Sequence, residues 1–371
     1  MPIYMDRHDL PESVTAEHVA HIHQEDLKIQ NKFGCEGLTY WFDEQRKTAF
    51  CLIKAPNKEA IQRMHDEAHG GIPNSIIEVD AEIVESFLGR IEDPEKSQNT
   101  ELNIINDAAF RTIMVIGIKT LSLKDSSPDH LNATLQNQSL FIAETTNKFK
   151  GNIIKQKLDY FLISFDSVTN AVLCSIEIQT NLKQTIDNGS NSDIQLNIGL
   201  NAGIPVTEKD CIFEDTIKMA ERLCDVVEGK ISITTNVKDL YESENLNIPI
   251  DNKFVITLHS NEEMFLNLLM DYTEREWNNT SLNVDDFSRG IGYSKSQLYR
   301  KMISITGKSP NAFLKEYRLN NALKLLNKRM NNISEIAFKT GFNSPAYFSK
   351  CFLETYGILP SIYTRQQEVH T

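Results

Sequence analysis

The stretch from Leu282 to Arg365 constrains this chain most, because one local pattern occurs in it twice. Val284, Phe287, Gly292 and Tyr293 are answered forty-nine positions later by Ile333, Ile336, Gly341 and Phe342. Ser294, Leu298, Met302, Gly307 and Pro310 are answered fifty positions later by Ser344, Phe348, Phe352, Gly357 and Pro360. The slip of one residue falls in a turn, so each copy reads as helix, short turn, helix. Each turn glycine follows an apolar-periodic run, where a helix stops on a left-handed residue, and each serine stands where the next helix needs an N-cap. Pro345 occupies a first helical turn, where its missing N–H costs nothing.

The second helix of each copy has a polar edge. In SKSQLYRKM, Leu298 and Met302 face inward one turn apart and leave Ser296, Tyr299 and Arg300 outside. In SPAYFSKCF, Phe348 and Phe352 face inward and leave Ala346, Ser349 and Lys350 outside. An exposed helix with one cationic side chain among small polar neighbours fits the major groove of B-DNA. Gln297, Pro345 and Tyr347 complete the expected DNA-contacting set. Between the copies, NAFLKEYRLNNALKLLNKRM reads as one helix, a spacer of roughly 27 Å at 1.5 Å per residue. Grooves on one face of a duplex recur about every 34 Å, so a spacer of this order suits two-site reading.

The string GFNSPAYFSKCFLETYGILP, residues 341–360, resembles the signature of AraC-type transcriptional regulators, and GYSKSQLYRKMISITGKSP resembles their first helix-turn-helix. The resemblance spans about a hundred residues and implies sequence-specific binding of a double-stranded operator by two recognition helices. RNA polymerase is a candidate second partner, and a homodimer is the expected assembly. Charge points the same way: residues 281–365 hold thirteen Lys and Arg against five Asp and Glu, although the chain as a whole carries a net −13. A basic module therefore sits on an acidic body, which locates nucleic-acid binding at one end.

With 371 residues, 40% of them hydrophobic and 24% charged, the chain is long enough for two or three cores, and its patterns indicate three. The fold class expected is multidomain, α+β followed by all-α. The opening MPIYMDRHDL reads as a strand rather than a charged-then-apolar leader, and no apolar run approaches a membrane span. A cytoplasmic protein without membrane association is expected. Its six scattered cysteines lack any CxxC pair and read as reduced thiols.

Residues 1–88 follow a βαββαβ order, the ferredoxin-like split unit with both helices on one sheet face. Helix AEHVAHIHQEDLKIQNKFG closes on Gly34, a hairpin turns at Asp43–Arg46, and Asn57 caps a second helix. Such a sheet can dimerise through its open face or an edge. Six of the nine histidines fall here: His8, His18, His21, His23, His65 and His69. His65 and His69 are one helical turn apart, so both rings can reach one ion, and imidazole suits nickel, copper or zinc. A solvated helix face with one packed histidine is the bland alternative. MDRH, HQEDLKIQ, YWFDE, FCLIKAPNKEA and HDEAHG ahead of IIEV resemble a small nickel-responsive family with a ferredoxin-like dimeric fold. The resemblance implies metal ligands or their near neighbours among His8, His23, Cys51, His65 and His69, with the inner ligands among them left open.

Residues 89–108, polar throughout, read as a linker that no core pattern crosses. Residues 109–258 read as a second α+β core with helices over a sheet: strand FRTIMVIGI, a helix over 128–150, a hairpin turning near Lys157 and Leu158, and further strands and helices through KISITTNV to FVITLHS. GNIIKQKLDYFLISFDSVTNAV and LNIGLNAGIPV with IFEDTIKMAERLC resemble the class III nucleotidyl cyclase domain. The resemblance matches Asp159 to a metal carboxylate, Lys155 to a purine-reading lysine and Arg222 to a charge-neutralising arginine. Gly117 stands where the first-strand carboxylate belongs, Lys218 where an asparagine does, and Glu214 where a glycine precedes Asp215. Two carboxylates are needed to hold the two cations of such a reaction, so a catalytically silent relative is expected, with Lys155, Asp159 and Arg222 on ordinary surface or capping duty rather than, as the alternative has it, remnants of a nucleotide site. An active cyclase with an attached DNA-binding end is the alternative. From residue 261 to 366 the DNA-binding domain follows, opened by an amphipathic helix with Phe265, Leu268, Leu269 and Tyr272 on one face, and QQEVHT reads as a frayed tail.

Overall fold

Alternation along strand β1 (Ile3–Asp9) sends Tyr4 and Asp6 to one face of a sheet and Met5 to the other, and the whole front domain is built on that division. A computed structural model describes residues 1–94, 102–123, 128–187, 194–250, 253–328 and 332–369. After β1 come α1 (Ala16–Ile29), a short 3-10 turn closing on left-handed Gly34, β2 (Glu36–Asp43), β3 (Thr48–Lys54), α2 (Lys58–His69) and β4 (Ser75–Val79). The sheet order is β2-β3-β1-β4, with every pair antiparallel, which is the ferredoxin-like arrangement. Tyr40, Phe42, Cys51 and Ile53 pack with Val19, Ala20, Ile61 and Met64 under α1 and α2. An added helix, α3 (Ala81–Leu88), follows β4; Asp80 caps it by accepting from the Ile83 N–H.

The other sheet face is also covered. Met5, Trp41, Phe50, Leu52 and Ile77 share one core with Phe87 of α3 and with Ile113, Val115, Leu162 and Phe213 of the middle domain. The open face expected to be available for dimerisation is therefore buried within the chain. The β2 edge is covered too: Asp93 N–H donates to the Leu38 carbonyl, and Phe42 N–H donates to the Asp107 carbonyl. The described parts of the stretch read as a linker, 89–94 and 102–108, belong to a core after all, with Ile105 buried, the Tyr40 hydroxyl donating to the Asn103 carbonyl and Arg90 stacked 4.4 Å over Trp41, while 95–101 lie outside the described residues. Backbone groups of Asp93 and Asp107, with the Arg90 side chain on the Tyr40 carbonyl, satisfy the edge strand, a task that leaves no hydrophobic period.

The middle domain runs β5 (Arg111–Thr120), α4 (Pro128–Lys148), β6 (Asn152–Lys157), β7 (Tyr160–Phe165), α5 (Val168–Asp187), β8 (Ile194–Gly203), α6 (Glu214–Val226), β9 (Ile231–Thr234), α7 (Thr235–Glu244) and β10 (Val255–Leu258). Its sheet order is β10-β9-β8-β5-β7-β6, with β9 parallel to both neighbours. KISITTNV is a strand only as far as Thr234, whose side chain accepts from the Val237 N–H and starts α7. α6 lies against β8 because Gly199 has no β-carbon; one would collide with the Ala220 carbonyl.

The C-terminal helices are α8 (Ser260–Glu276), α9 (Val284–Gly290), α10 (Lys295–Thr306), α11 (Pro310–Asn327), α12 (Ile333–Lys339), α13 (Pro345–Tyr356) and α14 (Pro360–Val369). QQEVHT is thus helical through Val369, beyond the end expected at 366, while its last two residues lie outside the described residues. The α8 stripe also differs: Phe265, Leu266, Leu269, Met270 and Thr273 are buried and Leu268 is exposed. Two partners cause this, since α8 seats the first helix-turn-helix and also packs on Met219, Leu223 and Val226 of α6. Among the described residues no helix is long and apolar enough to cross a membrane.

A candidate metal centre and a candidate DNA interface

Side chains from four elements meet between the front sheet and its helices. Asp6 on β1 and Cys51 on β3 are register partners, and the Cys51 N–H donates to Asp6 Oδ1 at 3.0 Å. His65 on α2 is buried with one ring nitrogen on each of two carboxylates: Nε2 lies 2.8 Å from Asp6 Oδ2 and Nδ1 lies 3.0 Å from Asp26 Oδ1. His69, one turn on, brings Nε2 to 3.1 Å from His65 Nδ1 and 3.3 Å from Asp26 Oδ1. His8 completes the group, its ring centroid 5.0 Å from that of His65 and its Nε2 3.5 Å from Asp6 Oδ1.

Electrostatics follow from this packing. Burial opposes charge on Asp6, but His8 and His65 more than offset it and hold the carboxyl well below its ordinary range. Burial likewise disfavours the His65 imidazolium, yet hydrogen bonds to Asp26 and Asp6 push its pKa up to about 10. The Cys51 thiol is driven upward by burial and then by Asp6 and Asp26. In this state the centre is an imidazolium clasped by two carboxylates.

The donor set fits a late divalent transition metal. Two groups, Asp6–His8–Cys51 and Asp26–His65–His69, each offer ligand atoms within 4.8 Å of one another. Ligands about 2.0–2.3 Å from a metal stand nearly this far apart, and mixed nitrogen, sulfur and carboxylate donors suit nickel, copper or zinc rather than magnesium or calcium. The buried His8 Nε2 faces Asp6 Oδ1 at 3.5 Å without a hydrogen bond, which leaves it available to an ion. Of the five residues expected at the metal, His8, Cys51, His65 and His69 come together. His23 stands apart, its Nε2 3.3 Å from Asp93 Oδ2 and its ring against Tyr40. Asp6 and Asp26 were missed, although Asp6 shares a strand face with His8 at a spacing of two and Asp26 follows His23 by one helical step of three.

At the other end, caps and glycines produce the two wedges. Asn283, Ser294, Asn332 and Ser344 each accept a backbone N–H at the start of α9, α10, α12 and α13. Gly292 and Gly341 take φ of +74° and +80° in the two turns, a region closed to most side chains. Ser296, Tyr299, Arg300, Ala346, Tyr347 and Lys350 are exposed, whereas Pro345 and Ser349 are half-buried. Arg300 leans on the Ser296 carbonyl, and Lys350 reaches Glu354 only at 3.9 Å. Gln297 is exposed but committed: its Oε1 accepts from the Ser294 N–H at 3.1 Å in a capping box. The spacer α11 has 18 residues, about 27 Å of helix.

The three residues matched to a nucleotide site do not share one. Lys155 is exposed on β6, and Asp159 is exposed in the β6–β7 turn. Arg222 is buried and directed at α8, donating to Asn267 and Asp271. Lys218 pairs with Asp271 as well. A β-carbon at Gly117 would lie 3.1 Å from Cys224 Sγ, a tight fit for any side chain there.

Residues 4–79 match the family of nickel responsive proteins like SCO4226, and residues 287–366 match the helix-turn-helix domain family. Histidine kinase P4 of Formosa agariphila is 38% identical over 29% of this chain and 8% of its own length. The regulator MtrA of Neisseria gonorrhoeae is 33% identical over 26% of this chain and 31% of its own. The chain thus spans less than a third of either curated relative. Among solved structures, SCO4226 of Streptomyces coelicolor is 31% identical over 21% of this chain and 94% of that one, with a TM-score of 0.20. An adenylate/guanylate cyclase/hydrolase of Silicibacter pomeroyi is 26% identical over 37% and 82% of the two chains, with a TM-score of 0.31. The class is an α+β body ending in an AraC-type helix-turn-helix domain, and the chain carries a SCO4226-like domain in front of it.

Proposed function

We propose that this protein is a sequence-specific DNA-binding regulator of transcription, probing its operator with α10 and α13 and adjusted by a divalent metal such as nickel at the front domain. The observation that carries the reading is the pair of capped helices, one presenting exposed Arg300 and the other exposed Lys350 on a face left open among the described residues. A cytoplasmic homodimer is the assembly we assign to it, formed without the front sheet's open face or β2 edge, both of which are occupied within the chain. RNA polymerase is a second partner of the DNA-bound state.

Metal control has a physical route. The centre sits under one face of the front sheet, the other face shares a core with the middle domain, and that domain in turn grips α8 through Arg222. A metal shifts the DNA-binding end only by favouring one arrangement of these layers over another. Saturating nickel is expected to change operator affinity at least fivefold in a gel-shift titration, with the effect abolished in His65→Ala/His69→Ala; an unchanged affinity with metal bound rejects metal control.

The middle domain is read as non-catalytic. Gly117 supplies no carboxylate at the first-strand position, and Arg222 is occupied by α8. Full-length protein with ATP or GTP and manganese is expected to yield no cyclic nucleotide above a protein-free blank; steady product formation would make the chain a cyclase.

A further inference from the structure

The middle and C-terminal domains together line a cleft of about 1070 Å³. Gly117, Asn197 and Cys224 form its floor, and Leu135, Leu319 and Leu323 line its walls, so α11 contributes as much as the middle sheet does. This volume is that of a site for a small organic molecule.

Three features say what such a molecule must be. Asn197 is fully buried; its Oδ1 accepts from the Gly229 N–H at 2.8 Å, while its Nδ2 has no acceptor among the described residues. A buried amide donor left open in this way calls for an accepting atom on a guest. Next, Lys119 and Lys308 are neutralised at one end of the cleft by Glu228 and Glu316. Lys157, Lys315, Lys324 and Lys328 also line it and form no ion pair among the described residues, against Asp159 and Asp225 alone. Burial pushes the Asp225 carboxyl pKa upward despite Lys324 and Lys119, which weakens the opposing charge further. Finally, the leucine walls reward an apolar body.

We propose that this cleft binds a small amphipathic organic anion. Its apolar or aromatic body lies between the leucines of α4 and α11, an acceptor atom meets Asn197 Nδ2, and its phosphate, sulfonate or carboxylate group meets Lys324 and Lys328, about one helical turn apart at the end of α11. Because both domains supply the walls, occupancy changes how the middle domain holds the second helix-turn-helix unit. Direct binding is independent of whether the protein reads DNA.

Phenyl phosphate is a suitable probe, titrated calorimetrically into chelator-treated full-length protein, with inorganic phosphate and benzyl alcohol as the anionic and apolar halves. Phenyl phosphate is expected to bind at least tenfold more tightly than either half. Lys324→Glu/Lys328→Glu, checked for folding by circular dichroism, is expected to weaken it tenfold or more, and Asp225→Asn to strengthen it severalfold. Should the charge reversal unfold the protein, Lys324→Gln and Asp225→Asn must still move the affinity in opposite directions. Absence of binding, binding no tighter than inorganic phosphate, or equal affinity in the folded charge variants overturns the proposal.

Discussion

Replacing Asp6 by Asn is expected to lower the stability of the metal-free protein by about 3–5 kcal/mol, the range for breaking a buried ion pair from one side. Asp6 is fully buried and serves three groups at once: the Cys51 N–H, His65 Nε2 and His8 Nε2. The amide keeps the shape and one acceptor, but it loses the charge that offsets the buried His65 cation. Asp26 remains on the other ring nitrogen, so part of the compensation survives. A urea titration of chelated protein measures the difference directly. A loss below about 1 kcal/mol would mean that His65 is neutral in the folded state and that the carboxylates do not hold a charged ring.

Arg300→Ala and Lys350→Ala are each expected to cost about 1–3 kcal/mol of operator affinity if they make good base contacts, roughly 5- to 150-fold. The two residues lie in separate wedges joined by α11, so their losses should add in the double variant, since distant sites couple weakly. Neither side chain carries a fold-sustaining contact: Arg300 touches the Ser296 carbonyl, and Lys350 lies 3.9 Å from Glu354. Comparison with random DNA separates two roles. A residue that reads a base loses affinity for the operator alone, and one that holds phosphate loses it equally on both.

Much of this molecule is legible in its sequence because local rules govern those parts. The two helix-turn-helix units were readable from Ser294, Ser344, Gly292 and Gly341, residues whose caps and left-handed turns act within a few positions. The front sheet follows from strict alternation such as Tyr4, Met5 and Asp6. What escaped depends on contacts between distant segments. The stretch 89–108 looks like a linker because its work is done with backbone groups and with Arg90 on Trp41, none of which leaves a period. Arg222 matches a catalytic arginine by local string, and only the arrival of α8 assigns it to Asp271. Histidine spacing alone does not mark Asp6 and Asp26; the signal the sequence does carry is their strand step of two from His8 and helix step of three from His23.

The central claim is that the two wedges at the carboxyl end read sequence. The direct measurement is selection of preferred sites from a randomised duplex pool by the full-length protein in moderate salt, with and without nickel. The account predicts an enriched site with two conserved blocks about one helical turn apart, its enrichment changed by the metal. An unenriched pool recovered under both conditions, from protein that is folded and retains duplex DNA, would contradict it.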